Sequence, residues 1–161
     1  MKHELAFGTD GIRGPANQPP FDNETLNHLG RACVGLCTES SRTVVIARDT
    51  RDSGARIQQA LTAGLMAGGA HVIDCGILPT AALACIVVDE QACLGLMITA
   101  SHNPWQDNGV KFFSSEGKKL SKHTQDRILE WCSTPPSQTG LPGISSQHPN
   151  PTHSWKRRLP Q

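Results

Sequence analysis

The strongest constraint on how this chain folds is a threefold alternation of two patterns. Thr43-Val44-Val45-Ile46-Ala47, His71-Val72-Ile73-Asp74-Cys75 and Leu94-Gly95-Leu96-Met97-Ile98 are short apolar runs, and runs of this length and composition read as strands covered on both faces in a parallel sheet. Around them apolar residues recur at helical spacing. Asn23 can cap a helix over Glu24 to Cys37, with Leu26, Leu29, Cys33 and Leu36 on one face. Ala55 to Gly68 repeats Ile57, Leu61 and Leu65 before breaking at Gly68-Gly69, and Thr80 can cap a helix through Val88. Strands and helices alternating through short connections give an α/β domain of three layers, α/β/α. Gly109-Val110-Lys111-Phe112-Phe113 and Lys118-Lys119-Leu120 read as a hairpin around Glu116-Gly117, so the sheet is mixed but mainly parallel. A last helix is expected over Ser121 to Cys132.

Sheets of this kind bind ligands outside the carboxyl ends of their strands. That rule selects three loops: Arg48 to Gly54, Gly76 to Thr80 and Thr99 to Asn108. The 161 residues are expected to form one domain over 1–132, followed by a disordered or aberrant tail over 133–161. The tail is rich in Pro and Ser, loses apolar periodicity and ends near a small basic cluster, Trp155-Lys156-Arg157-Arg158.

A formal charge of +1 argues against a dedicated polyanion binder, so nucleic acid is not expected as a partner. No uncharged apolar run approaches the roughly 20 residues that a membrane helix needs, and Met1-Lys2-His3-Glu4 opens no apolar signal segment. No membrane partner and a cytoplasmic location are expected. The six cysteines, Cys33, Cys37, Cys75, Cys85, Cys93 and Cys132, are scattered through apolar segments and are expected to be reduced, acting as small hydrophobes. Cys33 and Cys37 lie one helical turn apart, but no C-x-x-C pair or neighbouring His completes a zinc site.

Read residue by residue, the selected loops leave alternatives open. Thr99-Ala100-Ser101-His102-Asn103-Pro104 places a hydroxyl, an imidazole and an amide just after a buried strand, as a nucleophile loop or as a polar turn. A Ser next to a His in sequence is not a Ser-His pair in space, and no G-x-S-x-G elbow is present. Gly8-Thr9-Asp10-Gly11-Ile12-Arg13-Gly14 matches neither dinucleotide nor P-loop patterns; Arg13 offers a planar fork suited to phosphate, or a solvated side chain on a structural loop. The charges of Arg48-Asp49-Thr50-Arg51-Asp52-Ser53-Gly54 can pair with one another and cap the next helix. Lys111 is a phosphate clamp, a proton donor or a solvated edge lysine.

Taken together, these segments are more specific. Phe7 to Gly14, Arg48 to Gly54, Leu78-Pro79-Thr80-Ala81 and Thr99 to Pro104 with Asn108-Gly109-Val110-Lys111-Phe112-Phe113 resemble, in order and spacing, the first domain of the α-D-phosphohexomutases. Within that superfamily F-G-T-D-G-I-R-G and A-S-H-N-P-x-x-D-N-G-V-K-F-F resemble the bacterial phosphoglucosamine mutase branch more than the phosphomannomutase/phosphoglucomutase branch. The resemblance implies a phosphorylated serine at Ser101 that donates its phosphoryl group to a hexosamine 6-phosphate. The hexose 1,6-bisphosphate so formed turns over in the site and returns its other phosphate, giving the 1-phosphate. It also implies Mg²⁺, with the Ser101 phosphate oxygen as one metal ligand, and a phosphosugar substrate with the bisphosphate as activator. By the same resemblance Arg13 and Lys111 clamp phosphate or move protons, and His102 and Asn103 orient the serine loop. Thr9, Asp10, Asp49 and Arg51 frame the site.

The sequence also departs from the family pattern. Family members have four domains, and the D-G-D metal loop, the E-x-S-G sugar loop and the R-x-S-G-T-E-P phosphate loop of the later domains find no counterpart here; Arg51-Asp52-Ser53-Gly54 imitates only the first half of the last. Mg²⁺ would then lack its three carboxylate ligands. The chain is expected to show little mutase activity alone, and to rely on domains II–IV or on self-association through exposed surfaces; a phosphomannomutase/phosphoglucomutase fragment or a non-catalytic phosphosugar-binding or interaction module is the alternative.

Overall fold

The computed structural model describes residues 5–134 and 140–157. Its centre is a six-stranded sheet in the order β1 (Ile12–Pro15), β5 (Asp107–Ser114), β4 (Leu94–Ile98), β2 (Thr43–Arg48), β3 (His71–Ile77), β6 (Ser145–Gln147). β2 pairs in parallel with β4 and β3, and β3 with β6, while β5 runs antiparallel to β4 and β1. The mainly parallel, mixed sheet and its three layers are therefore as expected from the alternating pattern.

Period-two alternation divides the core. Val44 and Ile46 of β2 point to one face, where α1 (Asn23–Cys33) and α2 (Gly54–Ala67) bring Leu26, Leu29, Ile57, Leu61 and Leu65. Val45 and Ala47 point to the other, where α3 (Thr80–Asp89) brings Leu83, Ile86 and Val87. α1 and α2 approach closely because Gly30 and Gly64 lie at their crossing; a side chain at either would run into the Leu61 or Asn27 carbonyl. α4 (Lys122–Ser133) packs on α1 and starts at Ser121, whose hydroxyl accepts the Thr124 N–H.

Several local expectations are corrected. The cap of α1 is Asp22, not Asn23: its Oδ1 accepts the Thr25 N–H at 2.9 Å, and the helix yields to a 3₁₀ turn at Val34–Leu36. Thr80 is the first helical residue of α3, and the preceding Pro79 fixes the extended backbone there. Lys118–Leu120 forms a single bridge, Phe113 to Lys119, rather than a second hairpin strand.

Cys37 and Cys93, expected as reduced thiols, are joined in a disulfide. The end of the 3₁₀ turn meets the start of β4 there, with Cα atoms 5.4 Å apart, a distance within the range that a disulfide spans. Cys33, Cys75, Cys85 and Cys132 remain free. Burial, helped at Cys75 by the charges of Asp74 and Glu90, pushes the Cys75 and Cys132 thiols up to about 12, so these two stay protonated and unreactive.

The segment read as a structureless tail contributes two elements within its described residues. β6 extends the sheet beyond β3, and α5 (Pro151–Lys156) lies on α3, with Trp155 packed against the core. His148 secures the junction: its N–H donates to the Asp74 carbonyl and its ring pairs with Glu90 at 3.1 Å. Arg158 of the basic cluster lies outside the described residues.

Candidate active site

Because β2 and β4 run parallel and adjacent, the loops that follow them emerge side by side at one edge of the sheet. The backbone joins them at once, the Asp49 N–H donating to the Ile98 carbonyl. Ser101 stands at the tip of the β4 loop, exposed, with φ +55°. That left-handed conformation is uncommon for a residue with a side chain and persists only when its surroundings enforce it.

The enforcing contacts are specific. The Ser101 N–H donates to Thr99 Oγ1 at 3.0 Å, and the Thr99 hydroxyl donates to Asp49 Oδ2 at 2.7 Å. Asp49 also accepts the backbone N–H and Nε of Arg51, at 3.0 and 3.2 Å. Arg51 then delivers the rest of its guanidinium to the serine loop: Nη1 donates to the Pro104 and Asp107 carbonyls, Nη2 to those of Ser101 and Asn103, all within 3.0 Å. One planar fork thus gathers four carbonyls of the serine loop, a task that a lysine ammonium, with three donors on a flexible stem, does not match. Asn103 makes the next link. Its Oδ1 accepts Arg13 Nη1 at 2.9 Å and its Nδ2 donates to Asp107 Oδ2.

Beside this loop lies a cavity of about 170 Å³ lined by Gly8, Thr9, Asp10, Gly11, Ile12, Arg13, Thr99 and Lys111. β1 pairs with β5 and so carries Arg13 to Lys111's strand; Gly11, at φ +135°, packs so tightly on the Val110 carbonyl that a side chain has no room. Lys119 pairs with Asp10 at 3.6 Å. Of the residues singled out in sequence, Ser101, Asn103, Asp49, Arg51 and Arg13 are therefore linked by hydrogen bonds, Thr9, Asp10 and Lys111 line the adjoining cavity, and His102 is exposed with no hydrogen bond among the described residues. The Asp49–Arg51 pairing follows the expected self-pairing of that loop. Its expected capping role does not: Ser53 makes no cap hydrogen bond, and its Oγ accepts the Asn108 amide instead.

Thr99 and Asp107 were missed as site residues. Thr99 stands in the same T-A-S-H-N-P run that singles out Ser101, but nothing in one sequence shows that its hydroxyl turns back to Asp49. Trp105, 76% exposed, forms the outer wall of a second concavity of about 400 Å³ with Ser101, Asn103 and Arg51.

A fold of this type with a clamped serine loop beside a cationic cavity matches one family model: residues 4–137 fit the phosphoglucomutase/phosphomannomutase alpha/beta/alpha domain I. The chain belongs to that family. Its curated relatives include the phosphoglucosamine mutases of Granulibacter bethesdensis, 45% identical over 130 residues, and of Rhodospirillum rubrum, 46% identical over 130 residues. Each alignment covers 80% of this chain, but only 28% and 29% of the relatives' lengths. Among solved structures, a phosphoglucomutase/phosphomannomutase family protein from Burkholderia thailandensis superposes with TM-score 0.78 at 26% identity, covering 93% of this chain and 34% of that one. Among the described residues no helix is long and apolar enough to cross a membrane.

Proposed function

We propose that this chain is the phosphoryl-carrying domain of a phosphosugar mutase acting on glucosamine phosphates, with Ser101 as the carrier. The observation that carries this reading is the clamp: an exposed hydroxyl held at φ +55° by Thr99 and by the four carbonyls on Arg51, beside a cavity bearing Arg13 and Lys111. Phosphoryl transfer asks a protein chiefly for positioning and for neutralisation of charge on the moving group. In the proposed cycle the C1 hydroxyl of glucosamine 6-phosphate attacks the phosphorus on Ser101. A new P–O bond forms, the P–Oγ bond breaks, and Lys111 relays the hydroxyl proton to the departing Oγ. The bisphosphate then presents its C6 phosphate, Oγ attacks that phosphorus, and the proton returns to the C6 oxygen. Glucosamine 1-phosphate leaves, and no phosphate is consumed.

Arg13 neutralises the phosphate while Asn103 fixes its guanidinium, and Thr9 and Asp10 complete the cavity wall. The described residues do not by themselves fit a resident Mg²⁺. No three His, Cys, Asp or Glu side chains converge among them, and Asp49 commits both carboxylate oxygens to Thr99 and Arg51. We infer a cytoplasmic location from the phosphosugar substrate of the proposed reaction.

The test is transfer to the purified chain. Incubated with glucosamine 1,6-bisphosphate, it should gain one phosphate by intact mass, mapping to Ser101 and absent in Ser101→Ala. A chain that binds the bisphosphate yet never becomes phosphorylated would reduce the reading to a binding module.

A further inference from the structure

On the α1/α2 face α2 lies over both β2 and β3, and its outer flank, the β3–β6 edge and Pro142 border an open groove of about 870 Å³. The residues α2 contributes run from Ala55 to Ala67, about 18 Å at the helical rise. This groove is separate from the serine loop and plays no part in the phosphoryl chemistry described above.

Three features give it a chemistry. Gln58 is only 8% exposed, lines the groove, and its amide has no hydrogen-bond partner among the described residues. Its amide atoms meet solvent only through the groove, so a ligand seated there can take up their hydrogen bonds. At the end where β2 stops, Arg48 faces the groove with one long hydrogen bond, 3.4 Å to the Asp49 carbonyl, and no ion pair among the described residues. Asp74 also lines the groove and keeps its charge, but its two oxygens are turned to the Gly76 N–H and the Gln147 amide, each at 2.7 Å, and it forms no ion pair with Arg48. From there Ala63, Met66 and Pro142 form an aliphatic wall.

A free cation at one end, an unpaired amide beside it and an aliphatic wall beyond describe the complement of an elongated amphipathic anion. We propose that the groove between α2 and the β3–β6 edge is a second ligand site, for a small molecule with a carboxylate head on Arg48 and Gln58 and an aliphatic chain along Ala63, Met66 and Pro142. The opposite-charge amphiphile is disfavoured by Arg48, whose remaining donors are free among the described residues while the Asp74 oxygens are engaged, and an inorganic anion gains nothing from the aliphatic wall.

Calorimetric titration of the full chain with dodecanoate, below its micellar concentration, tests this. Saturable binding at one molecule per chain is expected, with clearly weaker binding of dodecyltrimethylammonium. Arg48→Gln should weaken dodecanoate about tenfold, the equivalent of one charge-assisted hydrogen bond. Ala63→Glu, at an exposed helix position that leaves the core untouched, should weaken it as much by placing a carboxylate along the chain. In the unmodified protein the side-chain amide resonances of Gln58 should shift on binding. Equal binding of both amphiphiles, dodecanoate binding unchanged in both variants, a silent Gln58 amide, or no saturable binding would each overturn the proposal.

Discussion

At the residue scale the decisive side chain is Arg51, and its role was only half legible. Its pairing with Asp49, two positions away, is visible in sequence. Its four other hydrogen bonds go to main-chain carbonyls, which every residue possesses and no pattern marks. Arg51→Lys keeps the charge but loses the fork, so several carbonyls of the serine loop lose their donors. We expect a loss of about 1–3 kcal/mol in thermal or urea unfolding, faster amide exchange over residues 101–107, and slower phosphoryl transfer to Ser101. Unchanged exchange in that loop would show that Arg51 does not hold it. Asp22 makes a different case, because its effect depends on pH. Burial acts to raise its carboxyl, but the hydrogen bonds from Thr25 and from the Asp22 and Glu24 backbone outweigh that and hold it below the ordinary 3.8. A carboxyl depressed on folding stabilises the protein above its unfolded pKa, and that contribution disappears as pH falls through the folded value. Asp22→Ala should therefore cost about 1 kcal/mol at neutral pH, the gap from the parent protein closing below pH 3.8. Asp22→Ser, which caps without a titratable group, should lose less at neutral pH and show no such closure.

At the scale of elements, the sequence is most informative where burial is two-sided. β4 has the bounds expected from its apolar run because every residue in it is buried, leaving no ambiguity of face or end. Helix ends were read less well, since Asp22 and Asn23 are both good caps and only the backbone path selects one. β6 and α5 were missed for a physical reason. β6, Ser-Ser-Gln, is exposed along its length, so its place rests on hydrogen bonds to β3, which leave no hydrophobic pattern to read. The Cys37–Cys93 link was equally hidden, as 56 positions separate partners that only the finished fold brings together. It ties the end of the first helical segment to the start of the strand whose following loop holds Ser101. If it constrains the unfolded chain as loop-closure entropy predicts, a loop of 56 residues contributes up to about 4 kcal/mol. Dithiothreitol, or Cys37→Ser, should then lower the melting temperature of the oxidised protein by several degrees, and the variant should no longer respond to reductant. Identical melting of the parent with and without dithiothreitol would show that the link contributes nothing.

At the scale of the whole molecule, the balance of charge separates phosphoryl acceptance from turnover. A hexose bisphosphate brings two phosphates, each carrying about −1.5 to −2 at neutral pH, and a mutase must hold one while it reacts with the other. The cavity beside Ser101 offers Arg13 and Lys111, enough to pair with one phosphate. The remaining cations nearby are committed: Arg51 to the serine loop, Arg56 to the carbonyls of Ala16 and Phe21 and to Asn23, Lys119 to Asp10. In the proposed reaction the second phosphate therefore finds no uncommitted cation around the serine loop, and the intermediate would have nothing there to retain it while it reverses. Phosphorus NMR of the 161-residue chain with glucosamine 1,6-bisphosphate should show at most one transfer per chain, to Ser101, without steady conversion between glucosamine 6-phosphate and glucosamine 1-phosphate. Multiple turnovers by the pure chain would show instead that a second phosphate seat exists, and the first place to seek it is the concavity walled by Trp105, where a second copy of the chain could contribute the missing cation.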